Sequence, residues 1–257
     1  MCKRKGVQFF MINYNGRTEL GTTLKKNEDG LGAVAIKDTL FLIIVDAFGT
    51  QESETTEEIG KNIADIMLDF IKDNYYKTDQ GILNMTLQGA LSTANLYLRT
   101  LQKYDSANFA KCGASVTICG ILPTKRMILH HIGITRLYIL RNGQLFCGTE
   151  DHNESFPLLA NGTISLEEYE TSPLRNKITK GIGATQHIQP FVTAVDLQDN
   201  DIVLLATDGI YRTLGDERIK NLIMESGNLD LTIEWLIKGA LQLECSDNLG
   251  VIASVIT

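Results

Sequence analysis

No apolar run in the chain approaches the ~20 residues of a membrane span, and its four prolines are scattered, so no membrane-spanning helix or proline-rich linker is expected. There is no GxxxxGK loop of the kind that cradles nucleotide phosphates. Basic residues cluster only at Lys3-Arg4-Lys5, and the formal charge is −7. That balance argues against nucleic acid as a general partner, because phosphate backbones need a clustered basic surface. The cysteines, Cys2, Cys112, Cys119, Cys147 and Cys245, form an odd set without CxxC spacing, which implies neither a zinc site nor a disulfide framework. Reduced thiols fit an intracellular, cytoplasmic setting, with Cys112 and Cys119 acting as small hydrophobes. His130, His131 and His152 have no companions at metal-ligand spacing and read as structural.

What remains is ordinary globular material, 257 residues that are 44% hydrophobic and 21% charged. With no repeat and no low-complexity linker, residues 1–257 are expected to form one domain and a monomer, with a flap-like excursion at about 147–190. Strand patterns run over Val7 to Tyr14, Leu31 to Ile36 and Leu40 to Val45, the last two joined by Lys37-Asp38-Thr39 as a hairpin. Ile59, Ile63, Ile66, Met67, Phe70 and Ile71 recur at helical spacing, with Thr55 or Thr56 as the expected cap. Leu83, Leu87, Ala90, Leu91, Ala94, Leu98 and Leu101 mark a second helix over about Ile82 to Leu101.

Strand character returns in Ser115 to Leu122, Arg126 to Ile132, Arg136 to Leu140 and Gln144 to Phe146, which read as an antiparallel meander with Arg141-Asn142-Gly143 as one of its turns. Phe191 to Leu197 and Ile202 to Thr207 read as a further hairpin through Gln198-Asp199-Asn200-Asp201. Helical patterns at Glu217 to Glu225 and Thr232 to Leu243 precede a last strand, Leu249 to Ile256. The order predicts an α+β fold: two antiparallel sheets packed face to face with a helix pair outside each.

Acidic residues stand where apolar runs end. Asp46 closes Leu40 to Val45, Asp208 closes Ile202 to Thr207, Asp247 precedes the last strand, and Glu28 with Asp29 precedes the second. Any one alone is an ordinary turn residue; together they suggest one site. Magnesium and manganese prefer oxygen ligands, and a two-metal hydrolytic site holds its ions ~3.5 to 4 Å apart across a shared carboxylate, for which Asp46 is the natural candidate.

In order, the landmarks are Asn27-Glu28-Asp29, Val45-Asp46, Gly113-Ala114-Ser115-Val116, Gly133-Ile134-Thr135-Arg136, Asp151-His152-Asn153, Asn176 to Gly183, Ala206-Thr207-Asp208-Gly209 and Ser246-Asp247-Asn248. This series resembles the metal-dependent protein phosphatase 2C (PPM) family from about Gly21 to the C-terminus. The resemblance implies a four-layer α/β/β/α sandwich. It also implies an intracellular Mg/Mn-dependent hydrolase acting on phosphoserine or phosphothreonine of a phosphoprotein, by attack of a hydroxide bridging two Mg²⁺ or Mn²⁺ ions. By the same resemblance Asp46, Asp208 and Asp247 hold one ion, Glu28, Asp46 and the Ala47 carbonyl hold the other, and Asp29 orients metal-bound water.

Departures from the family pattern are as informative. Leu24 stands where the family has a phosphate-gripping arginine, leaving Lys25 or Lys26 to lend a charge without the planar fork of a guanidinium. Ala47 replaces a glycine, which matters only if its φ is positive. Phe48 supplies no proton donor. Ile134 replaces the acid associated with a third metal, which is expected to be weak or absent. Arg136 reads as a structural ion-pair partner. The alternative to an active enzyme is a catalytically impaired, phosphatase-like regulatory or binding module.

Overall fold

The computed structural model describes residues 13–50 and 58–257. The part of the expected Val7 to Tyr14 strand that precedes Asn13, the basic Lys3-Arg4-Lys5 cluster, Cys2 and the Thr55 or Thr56 cap lie outside these residues. Strand β1 is Asn13–Glu19, β2 Asp29–Ile36 and β3 Thr39–Phe48. Helix α1 spans Ile59–Asn74, α2 Gln80–Tyr104 and the short α3 Ser106–Phe109. Four strands follow: β4 Gly113–Ile121, β5 Arg126–Ile132, β6 Arg136–Arg141 and β7 Gln144–Cys147. The excursion between β7 and β8 carries α4 (Phe156–Ala160), α5 (Leu166–Thr171) and a 3₁₀ turn at Pro173–Asn176. Strands β8 (Phe191–Asp196) and β9 (Ile202–Ala206), helices α6 (Asp208–Leu214), α7 (Asp216–Ser226) and α8 (Leu229–Gln242), and β10 (Leu249–Val255) complete the order.

The strands form two antiparallel five-stranded sheets, β1-β10-β9-β6-β7 and β2-β3-β4-β5-β8. Strand β3 shows how side-chain alternation builds the layers. Phe41, Ile43 and Val45 pack with Ile63, Met67, Leu87 and Leu91 of α1 and α2. Leu40, Leu42 and Ile44 face the other sheet, against Leu137, Val203, Leu205 and Ile252. Outside that second sheet, Leu204, Ala206 and Val251 meet Ile219, Ile233 and Leu236 of α7 and α8. The α+β sandwich with outer helix pairs is the observed fold.

Local chemistry sets the joints. Lys37 and Asp38 both adopt positive φ between β2 and β3, as a two-residue hairpin loop of the type I′ class requires. Asn142 and Gly143 do the same between β6 and β7. Asp79 caps α2 by accepting from the N–H groups of Gly81 and Ile82 at 2.9 and 3.1 Å.

Two expected connections are corrected. Strands β5 and β6 do not continue one meander: the chain leaves one sheet for the other through Gly133-Ile134-Thr135. At Gly133 φ is +108°, and a Cβ would meet the Ser115 hydroxyl at 2.3 Å, so the crossing requires glycine. Likewise β8 and β9 are no hairpin but belong to different sheets. Buried Asp201 is held by Arg141 of β6, with Nε donating at 2.9 Å and Nη2 at 2.5 Å, which draws β9 onto the β6 sheet. Turn residues report that the chain reverses, not which sheet the next strand joins.

Candidate active site

The register that sorts apolar side chains also places the acids. Asp46 shares the inter-sheet face of β3 with Leu42 and Ile44, and Asp29 shares that of β2 with Leu31 and Ala33; the two aspartates are direct partners across the ladder. At this end of the sandwich, the loop bearing Glu28 is tied to the loop bearing Asp247. Thr22 N–H and hydroxyl both donate to the Cys245 carbonyl at 2.9 Å, and Thr23 Oγ1 donates to the Ser246 carbonyl at 3.2 Å. In the orientation that satisfies both ends of its amide, Asn248 donates to the Lys26 carbonyl at 3.3 Å and accepts from Glu28 N–H at 2.8 Å. Gly209, next to Asp208, sits so close to the Asn248 carbonyl that a Cβ would stand 2.1 Å from it. Three loops are thereby drawn to one place.

Glu28, Asp29, Asp46, Ala47, Asp208 and Asp247 all line one cleft of about 980 Å³. Asp29 and Asp208 are buried, Glu28 and Asp46 half-buried, and Asp247 exposed. Burial raises Asp29 well above the ordinary carboxylate range; the Thr207 hydroxyl, donating at 2.8 Å, opposes this, and Asp208, Asp247 and Glu28 add to it. Asp46 is raised by burial and by Asp208, Asp29 and Asp247, with Arg212 opposing. Asp208 is pushed up to about 6 by burial, moderated by Arg212. Such a cluster is short of positive charge, and its all-oxygen donor set suits a hard divalent cation.

The acids are not left bare. Arg212 Nη1 stands 3.1 Å from Asp208 Oδ2, and Lys26 Nζ is 3.4 Å from Glu28 Oε1. Thr50 bridges Lys26 and Glu28 through its hydroxyl. Among the described residues, no three histidine, cysteine, aspartate or glutamate side chains already converge as an ion cage. Ion binding at Glu28 and Asp208 therefore requires exchange with these side-chain partners.

Ala47 is absent from the residues with positive φ, so its replacement of glycine carries no backbone strain. Leu24 lines the rim and is 40% exposed, an apolar side chain where a phosphate donor was sought. Lys25 and Lys26 line a separate hollow with Thr18, Glu19 and Glu58 rather than this cleft. Ile134 is buried in the cleft wall, and its carbonyl accepts from Tyr211 Oη at 2.8 Å. Arg136 is structural: its Nε and Nη2 donate to the two Asp151 oxygens at 3.0 and 2.9 Å. His131 and His152 stack at 5.0 Å, and Gly133 N–H donates to His152 Nδ1. Burial lowers their pKa values to about 3 and about 4, so both are neutral packing groups. The thiols of Cys112 and Cys119 are pushed up to about 12 by burial, as expected of small hydrophobes.

Sequence reasoning missed Arg212. Asp208-Gly209 reads as a turn, yet it opens helix α6, which places Arg212 one turn on, at i+4 from Asp208. Arg212 Nη1 also donates to Asn176 Oδ1 at 2.5 Å and Nη2 to the Arg175 carbonyl at 3.2 Å, linking α6 to the excursion. Its buried Nε has no acceptor. The DGIYR spacing was the available signal.

Several known proteins share this framework. The serine/threonine phosphatase stp of Listeria monocytogenes serotype 4b is 23% identical over 237 residues, covering 92% of each chain. Protein phosphatase PhpP of Streptococcus pneumoniae is 30% identical over 139 residues, 54% of this chain and 56% of that one. The resemblance to the phosphatase 2C family is borne out. Among solved structures, the serine/threonine phosphatase Stp1 of Staphylococcus aureus superposes with a TM-score of 0.85 at 23% identity, covering all of both chains. The catalytic domain of the phosphatase PstP in complex with two manganese ions gives 0.81 at 23% identity over 96% of this chain and 98% of that one. These superpositions establish the phosphatase 2C fold for the chain. No family model matches it.

Proposed function

We propose that the chain is a Mg²⁺- or Mn²⁺-dependent phosphatase acting on phosphoserine or phosphothreonine in proteins. The observation that carries this reading is the meeting of Glu28, Asp29, Asp46, Asp208 and Asp247 in one cleft, with Asp29 and Asp46 paired in register and each raised by burial and by neighbouring acids. The names of curated relatives that match over most of the chain support it. Asp46, Asp208 and Asp247 would hold one ion, and Glu28, Asp46 and the Ala47 carbonyl the second. Bound there, the ions would supply an activated water as nucleophile and would offset charge on the phosphoryl oxygens. Asp29, fixed by Thr207, orients water beside Asp46. The flap-like excursion at about 147–190 contributes Asn176, Ile178 and Lys180 to the lining of the cleft.

Leu24 cannot grip phosphate, and Lys26 is engaged with Glu28. The substrate phosphate is assigned instead to Arg212, whose guanidinium lines the cleft beside Asp208 and would exchange its contacts with Asp208, Asn176 and the Arg175 carbonyl for the phosphate. The test is release of nitrophenol from an aryl phosphate in manganese, repeated with chelator and with Asp46→Asn. Turnover that disappears in both controls supports the enzyme. Turnover indifferent to chelator overturns it.

A second reading rests on the two ion pairs. Arg212 and Lys26 already neutralise Asp208 and Glu28, as in a phosphatase-like regulatory module that keeps the cleft without the chemistry. Metal binding without turnover on the aryl phosphate or on phosphopeptides decides for that reading.

A further inference from the structure

The cleft has a second wall that the reaction does not use. Arg99, Lys111 and Lys180 line it together with the acids, and among the described residues none of the three side chains forms an ion pair or hydrogen bond. The residues themselves come from α2, from the link between α3 and β4, and from the return of the excursion. They nevertheless belong to one surface. Gln102, three residues beyond Arg99 on α2, donates through Nε2 to the carbonyls of Cys112 at 2.8 Å and Gly183 at 3.1 Å. Asn95, one turn before Arg99, accepts from Gly183 N–H at 2.8 Å and donates to the Thr185 carbonyl at 3.0 Å. Ile182 pairs with Ala114. The backbone next to Lys111 and the backbone just past Lys180 are thus pinned to the α2 turn that carries Arg99.

The basic surface extends beyond the cleft. Arg99 also borders an adjoining hollow of about 640 Å³, which Lys103 lines from the next turn of α2. A chain with a net charge of −7 therefore presents a run of cations leading away from its acidic floor. Unpaired cations flanking a reaction site steer and orient anionic partners.

Resting on the phosphatase reading, we infer that this wall selects phosphopeptides with acidic residues flanking the phosphorylated serine or threonine. The phosphate meets Arg212 and the acidic floor, while flanking anions lie along Arg99, Lys111 and Lys180. Aspartate, glutamate and a second phosphate all offer the required charge. Peptides separate these sources.

The experiment compares phosphothreonine peptides that differ only in their flanks: three aspartates, three lysines, or a neighbouring phosphoserine beside alanines. Values of kcat/KM are measured in manganese at low and physiological salt, with an aryl phosphate in parallel. Aspartate-flanked and doubly phosphorylated peptides are expected to exceed the lysine-flanked one by at least about tenfold at low salt, with the gap narrowing as salt screens it. In the triple variant Arg99→Glu, Lys111→Glu, Lys180→Glu the preference should invert. Because the ratio is read within each variant, a general loss of rate does not enter it. Equal kcat/KM across flanks, or a preference that survives the triple reversal, overturns the inference. If no substrate is turned over, the phosphatase reading falls, and the selection is decided by fluorescence anisotropy with non-hydrolysable phosphonate versions of the peptides. Tighter binding of the aspartate-flanked phosphonate, reversed in the triple variant, supports it; equal binding ends it.

Discussion

On the floor of the cleft, Asp29 and Asp46 face each other across a strand ladder and Asp208 is buried beside them; on the wall, Arg99, Lys111 and Lys180 come from a helix and two loops and remain accessible to solvent. Burial makes the floor sensitive, because Asp29 and Asp208 are poorly solvated and the acids there shift one another. Solvation makes the wall tolerant, because charges in water interact weakly and are screened by salt. The floor is therefore expected to govern whether the reaction occurs, and the wall to govern which substrate is taken.

The largest expected effect is on the floor. Asp46→Asn should lower manganese-dependent turnover of an aryl phosphate on the order of a thousandfold, since a shared metal ligand supplies several kcal/mol of transition-state stabilisation. Steady-state kinetics beside Lys111→Glu checks this, and comparable losses in the two variants would erase the distinction.

Next comes Arg212, where floor and substrate meet. In Arg212→Ala, Asp208 loses the cation beside it, so manganese should bind about fivefold tighter by calorimetry, equivalent to ~1 kcal/mol. KM for the aryl phosphate should rise at the same time through loss of the guanidinium. Opposite movement of the two constants is the signature; weaker manganese binding would show that Arg212 only braces the site. Leu24→Arg should in turn lower KM.

A third prediction concerns pH. Asp208, at about 6 in the fold against an ordinary 3.8, holds a proton in the folded state that the unfolded chain has released. Its stabilising contribution is present below about pH 4 and lost as pH rises through about 6; Asp29 and Asp46 are raised in the same sense. The lowered histidines act oppositely: the unfolded chain takes up protons below about 6.5 that folded His131 and His152 refuse. The rise in Tm on adding manganese separates the two, because only the acids compete with the ion. That rise should grow from pH 5.5 to 7.5, and a pH-independent shift would mean that manganese binds elsewhere. The smallest effect belongs to Ala47→Gly, which restores the family residue at a position without positive φ. It should change turnover by less than about twofold, as backbone conformation there makes no demand for glycine.

The floor was legible in the sequence and the wall was not, for physical reasons. Asp46 ends an apolar strand whose alternation fixes which face it occupies, and Lys37-Asp38 fixes the hairpin that brings Asp29 opposite. Arg212 escaped because α6 has only seven residues, too few for a helical period to stand out. Arg99 reads as one polar residue on a long amphipathic helix, and nothing in its local pattern reports that Lys111 and Lys180 come beside it. The transfer of β6 and β9 to the opposite sheet was hidden too, since Gly133 and the Asp201–Arg141 pair act through distant contacts.

The central claim is that the acidic floor holds two divalent ions through Asp46. Manganese bound per chain, measured by equilibrium dialysis at neutral pH on the wild-type protein and on Asp46→Asn, tests it most directly. The account expects two tightly bound ions in the wild type, a third weak or absent because the Ile134 side chain offers no ligand, and loss of tight binding in the variant. No bound manganese, or the same stoichiometry and affinity in both proteins, would contradict it.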